Sequence, residues 1–189
     1  NRCVVYFKNT DFYIDGSTDD GSTTINGSNT TGCAAFNLER SRGTIRNITV
    51  TGAQEALYAA KSDVSIKGGT FSSTGQPGIK VVEGSRFKIR SNDNDISITS
   101  SGDNALDVKS SYLKLDKSSK NLTISSTASG AGDIRIRERS TVEIEDHTYA
   151  TVEVSRASYL HIDNDATITT LRCTNSAIIL KEGNITDYS

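Results

Sequence analysis

The chain has 189 residues, a formal net charge of −2 with both signs interspersed, 34% apolar residues and only 6% aromatics. That length fits one compact domain. The charge balance gives no electrostatic case for nucleic acid, and no apolar run reaches the roughly 20 residues of a membrane span. So little apolar content in a chain rich in Ser, Thr, Gly and Asn suits either disorder or strands with one face in water.

Apolar triplets recur in chain order and decide between the two. Val5/Phe7 is followed by Thr10-Asp-Phe-Tyr-Ile14. Phe36/Leu38 precedes Ser41-Arg-Gly-Thr-Ile45, and Ile48/Val50 comes after it. The phrase Ser-x-apolar-x-apolar then returns at Ser62, Ser85, Ser111, Ser140, Ser158 and Ser176. The intervals from Ser41 onward are 21, 23, 26, 29, 18 and 18 residues, and Gly43 alone stands where an apolar residue is expected. Five or six residues before these serines stand Leu57/Ala59, Ile79/Val81, Leu106/Val108, Ile134/Ile136, Val152/Val154 and Leu171/Cys173. A third, weaker set follows them: Phe71, Ile96/Ile98, Leu122/Ile124, Ile168 and Ile185.

Alternation of this kind places apolar side chains on one face of a short strand. Three short strands per repeat predict an all-β fold, a single-stranded parallel β-helix of about eight coils. Each coil buries its inward face only by stacking on its neighbours. At the usual interstrand distance eight coils make a rod about 40 Å long. A β-sandwich is the runner-up, and its longer strands do not recur as matched triplets. The expected unit is one domain spanning residues 1–189. The sequence lacks methionine and an opening signal peptide, so a processed form or part of a larger polypeptide is expected.

Three cysteines occur. In coil register Cys3 and Cys33 fall at the same corner of adjacent coils, within reach of a disulfide. Cys173 lies far from both, at an inward position expected to hold a buried thiol. Asn-x-Ser/Thr sequons at Asn26, Asn29, Asn47, Asn121 and Asn184 are glycan sites only after eukaryotic secretion. Otherwise these are bend residues whose side chains cap turns.

Thr24-Ile-Asn-Gly-Ser, Gly43-Thr-Ile-Arg-Asn-Ile-Thr-Val-Thr-Gly52 and Ser101-Gly-Asp-Asn-Ala-Leu-Asp-Val108 resemble right-handed, pectate-lyase-like parallel β-helices. That superfamily includes polysaccharide lyases, polygalacturonases, surface adhesins and phage tailspikes. The resemblance covers nearly the whole chain, implies a right-handed solenoid, and does not fix function. Polygalacturonase motifs are missing, and the two histidines, His147 and His161, stand in no such context. A lyase would use calcium, which takes six to eight oxygens, with an arginine as base. The candidates are Asp103, Asp107 and Asp133 with Arg135, Arg137 and Arg139.

Strand midpoints weigh against that chemistry. The outward residues of the first strand are Tyr6, Asn37, Tyr58, Lys80, Asp107, Arg135, Glu153 and Arg172, alternating in sign from Lys80 onward. Stacked opposite charges specify register and neutralise the face. The second outward column places Lys88 beside Lys114, a small basic patch. Lys80, Lys88, Asp107, Lys114 and Arg135 thus form the candidate face for an anionic glycan or partner. The serines read as structural, since none has a histidine and acid partner in sequence.

The expected function is a non-catalytic structural or recognition module of an extracellular assembly, a phage tail fibre or tailspike or a cell-surface adhesin. Catalytic residues, cofactors and metals are not expected. The alternative is a polysaccharide lyase or hydrolase acting on an acidic glycan, and calcium enters only there. Unpaired strand edges at the rod ends predict partner domains or subunits, homotrimers by the resemblance. An extracellular or virion-surface location follows from the same reading.

Overall fold

A computed structural model describes residues 3–18, 21–27, 32–91, 94–117 and 120–189. The chain winds as a parallel β-helix with three sheets. A nine-stranded sheet starts at Val5–Lys8 and ends at Asn184–Tyr188; an eight-stranded sheet runs from Asp11–Asp15 to Ala177–Leu180. The third sheet stacks Gly21–Gly27, Ile48–Gly52, Gly69–Ser73, Ile96–Ser100 and Leu122–Ser126 in parallel, with Ser17–Thr18 antiparallel on its first strand.

Register follows the triplets. Phe36 pairs with Leu57, Leu57 with Ile79, Ile79 with Leu106, and Leu106 with Ile134. These inward columns form one core in which Phe36, Leu57, Ile79, Leu106 and Ile134 are fully buried. Apolar burial of about 25 cal/mol per Å² is the main stabilising term, and every strand pair adds its ladder of hydrogen bonds.

The serines form a continuous ladder at the corner between the first and second sheets. The backbone N–H groups of Ser41, Ser62, Ser85, Ser111, Ser140 and Ser158 each donate to the hydroxyl of the serine one coil on, at 3.1–3.3 Å. Thr10 N–H joins the ladder through Ser41 Oγ at 3.3 Å. Each hydroxyl then donates to a carbonyl of its own corner. Spacing in the sequence sets the corner type. Five residues from triplet to serine gives one left-handed corner residue, as at Arg40, Lys61, Ser110 and Asn175; six gives two, as at Glu83–Gly84, Glu138–Arg139 and Arg156–Ala157. The hydroxyl reaches back two residues in the first case and three in the second. A non-glycine residue at positive φ is costly alone. Here the ladder satisfies the corner's polar groups in every coil.

The last coils depart from the expected three strands. Ile168 and Ile185, expected in a third strand, lie in the first sheet, where Tyr149 pairs with Ile168 and Ile168 with Ile185. In these 18-residue coils the chain runs straight through the former corner as the eight-residue strands Thr148–Ser155 and Thr167–Thr174. Tyr149, the largest fully buried side chain, fills the core there. Cys173, expected to be buried, is half-exposed, because only the terminal strand Asn184–Tyr188 covers its coil.

At the opposite end Gly43 is explained by Phe12, its register partner. A Cβ at position 43 would lie 2.6 Å from the Phe12 ring. That ring stacks on Phe7 and Phe36 at 5.2 and 6.4 Å and takes the inward place a side chain at 43 would need. Beside this aromatic group Cys3 and Cys33 are joined in a disulfide with Cα atoms 5.4 Å apart. It closes a loop of 30 residues, worth about 3–4 kcal/mol by chain entropy. Reducing it should lower the urea midpoint accordingly. Hydrogen exchange should rise first in Val5–Lys8 and Asp11–Asp15, the coil most prone to fray. Unchanged exchange in both strands after reduction would contradict this.

Candidate functional site

The residues expected to carry lyase chemistry are brought together, but they satisfy one another. Asp107 and Arg135 are register partners in the first sheet. Asp107 is 0% exposed although its position faces outward, because two guanidinium groups cover it. Arg135 contacts it at 3.1 Å through both Nε and Nη2, and Arg137 at 3.0 and 2.7 Å. The other edge of Arg135 grips both oxygens of Asp103 at 3.0 Å. Burial pushes the Asp107 carboxyl up, but the hydrogen bonds from Arg137 and Arg135 outweigh it and hold the group below the usual carboxylate range. Desolvation works against the Arg135 charge, and the Asp107 and Asp103 carboxylates more than offset it, keeping that guanidinium protonated. An arginine so held is a poor proton acceptor.

Asp133 is turned away from this cluster. Its carboxylate accepts the N–H groups of Ser126, Ala150 and Thr151 at 3.0, 2.9 and 3.1 Å. Arg139 stands apart as well, exposed at a corner. Among the described residues no group of three or more His, Cys, Asp or Glu side chains is arranged to hold a metal ion.

The lysine face is likewise compensated. Lys88 and Lys114 are register partners, and Asp116 lies between them, 2.7 Å from Lys88 and 3.5 Å from Lys114. Lys114 also meets Glu145 at 2.7 Å, and the Glu145 bond first, with the surrounding carboxylates, raises its pKa to about 12. Lys80 is bound to Glu55 at 3.0 Å. None of these cations is left over for a ligand.

What the triplet pattern did not single out is the position directly after each serine. Register stacks Asp11, Arg42, Asp63, Arg86, Tyr112, Thr141 and Tyr159 along one edge of the second sheet. Two shallow cavities follow this corner. One of about 500 Å³ is lined by Arg40, Arg42, Lys61 and Arg86 with Asp11 and Asp63. The next, about 450 Å³, shares Gly84 and Arg86 and adds Tyr112, Arg139 and Thr141. Arg86 lies over the Tyr112 ring, 5.2 Å from its centroid, a cation–π contact. The signal in the sequence was the pair Ser111-Tyr112 and Ser158-Tyr159 at equal phase.

Comparison with protein-family models, curated proteins and solved structures returns no match.

The third sheet points registered Thr24, Thr49, Thr70, Ser97 and Thr123 outward, beside a second polar column. Of the sequons, Asn26, Asn121 and Asn184 are exposed. Asn47 adopts positive φ at a corner, and its side chain is bonded to Asp15, Ser17 and Asn94. Asn29 lies outside the described residues.

Proposed function

We propose that this chain is a non-catalytic structural and recognition rod of an extracellular or virion-surface assembly, of the kind found among tailspikes, tail fibres and adhesins of the pectate-lyase-like superfamily. The observation that carries this is the closed Asp103–Arg135–Asp107–Arg137 network. Two of the three candidate arginines, Arg135 and Arg137, are spent on structural carboxylates, and Arg139 stands apart from the candidate aspartates. The repeated serine hydroxyls, read from the sequence as structural, are engaged in the corner ladder. Exposed Ile179, Leu180 and Tyr188 support contact with partner subunits, trimers by the resemblance.

The decisive assay incubates the protein with polygalacturonate, alginate and hyaluronate, with and without calcium. Reducing ends and chain length are followed over time. Intact polymer throughout is the expected result. Chain cleavage that disappears in Arg135→Lys, with the circular dichroism spectrum preserved, would establish the lyase alternative instead.

A further inference from the structure

We infer that the corner groove around Tyr112 is a binding site for an acidic polysaccharide. A charged sugar there would rest on the tyrosine ring with its anionic group on Arg139 or Arg86. This rests on the recognition reading above and gives it a location.

Ion pairing supplies the argument. Among the described arginines, Arg86 and Arg139 alone have no carboxylate partner. Elsewhere on the rod the pairing is systematic: Arg40 has Glu39, Arg42 has Asp63, Arg156 has Glu138, and Arg172 has Glu153. Arg46, Arg90, Arg135 and Arg137 are paired too. The two exceptions line the same cavity of about 450 Å³. Both are exposed, on the coil before and the coil after Tyr112. With the other described arginines paired, these two guanidinium groups add a local positive potential at the cavity, which draws anions, while Glu143 reaches the Tyr112 hydroxyl from the neighbouring column.

The chemistry of the lining narrows the ligand. A guanidinium takes a carboxylate or sulfate through two parallel hydrogen bonds. Tyr112 offers a flat aromatic surface that its contact with Arg86 holds in place. Ser110 and Thr141 line the same cavity and supply hydroxyls that suit sugar hydroxyls. Tyr159 stands two coils further along the same column, 51% exposed. At the interstrand spacing that is about 10 Å away, which extends the platform along the rod. In the other direction the groove continues past Lys61, Arg42 and Arg40. An extended, repeating, negatively charged sugar chain matches a linear groove of this composition. Double-stranded nucleic acid does not, because its phosphates require a dense basic stripe.

Affinity electrophoresis of the full chain in gels containing polygalacturonate, dextran sulfate or neutral dextran tests the site. Retardation is expected in polygalacturonate or dextran sulfate and not in dextran; which of the two retards separates carboxylate from sulfate recognition. Arg139→Gln, Arg86→Gln and Tyr112→Ala should each weaken Kd about tenfold. Lys67→Gln removes the same charge at the far end of the neighbouring strand and should leave Kd unchanged. Arg139 and Lys67 are exposed, and equal melting temperatures confirm the fold. Should the wild type bind while the three groove variants bind equally well, the groove is wrong and the recognition reading stands. Should the wild type bind neither acidic polymer, both fail.

Discussion

Asp107→Ala should lower unfolding free energy by about 3–5 kcal/mol, the cost of removing one member of a buried ion pair. The carboxylate is fully buried under Arg135 and Arg137. Its loss strands two half-buried guanidinium groups, of which only Arg135 keeps another strong partner, in Asp103. Urea denaturation at pH 7 measures the effect directly, and a loss under about 1 kcal/mol, the range of an exposed pair, would overturn it. The pH dependence has a definite sign. The folded carboxyl titrates below the ordinary range of an aspartate. Its contribution is therefore fully present above the unfolded pKa, and it is lost as pH falls below about 4 through the folded value. Wild-type stability should fall across that acid window more steeply than that of the alanine variant.

The second large effect is at Asp133. Its side chain, in a residue 6% exposed, accepts three backbone N–H groups, from Ser126, Ala150 and Thr151. Ser126 ends the last strand of the third sheet, and Ala150 and Thr151 lie in the first strand that runs straight through the lost corner. One carboxylate thus supplies acceptors where a sheet stops and its ladder has no next coil. Asp133→Ala removes the carboxylate acceptor of all three donors, at about 1–3 kcal/mol each, so a loss of at least about 3 kcal/mol is expected. Amide exchange at Ala150 and Thr151 should accelerate more than at Val152 or Val154. Unaltered protection at both amides would show that Asp133 is dispensable there.

Asp107 and Asp133 also show where a sequence reading reaches its limit. Both were legible as carboxylates in the right neighbourhood for calcium. Coil register stacked Asp107 on Arg135, but the spacing did not show that Arg137, two residues further on, closes over it as well. Nor did it show that Asp133 turns to backbone amides. Lys88 and Lys114 were correctly placed side by side, yet Asp116, two residues after Lys114 in sequence, cancels the patch they would have made.

By itself, the sequence determined the coil. Parallel stacking in register carries each residue onto its equivalent one repeat later. A five- or six-residue gap before each serine therefore already specifies the corner, the inward column and the outward column. The same phase placed Cys3 against Cys33 at 5.4 Å between Cα atoms. Register already stacked Asp107 on Arg135 and Glu153 on Arg172; the tertiary structure added the contacts of Arg137, Asp116 and Glu55, because long side chains reach across coils and around corners at distances no repeat encodes. It also decided that Ile168 and Ile185 lie in the first sheet, because in the 18-residue coils that sheet's strand extends through the former corner. By the same pairing it left Arg86 and Arg139 unpaired beside Tyr112, the feature from which the binding groove is inferred.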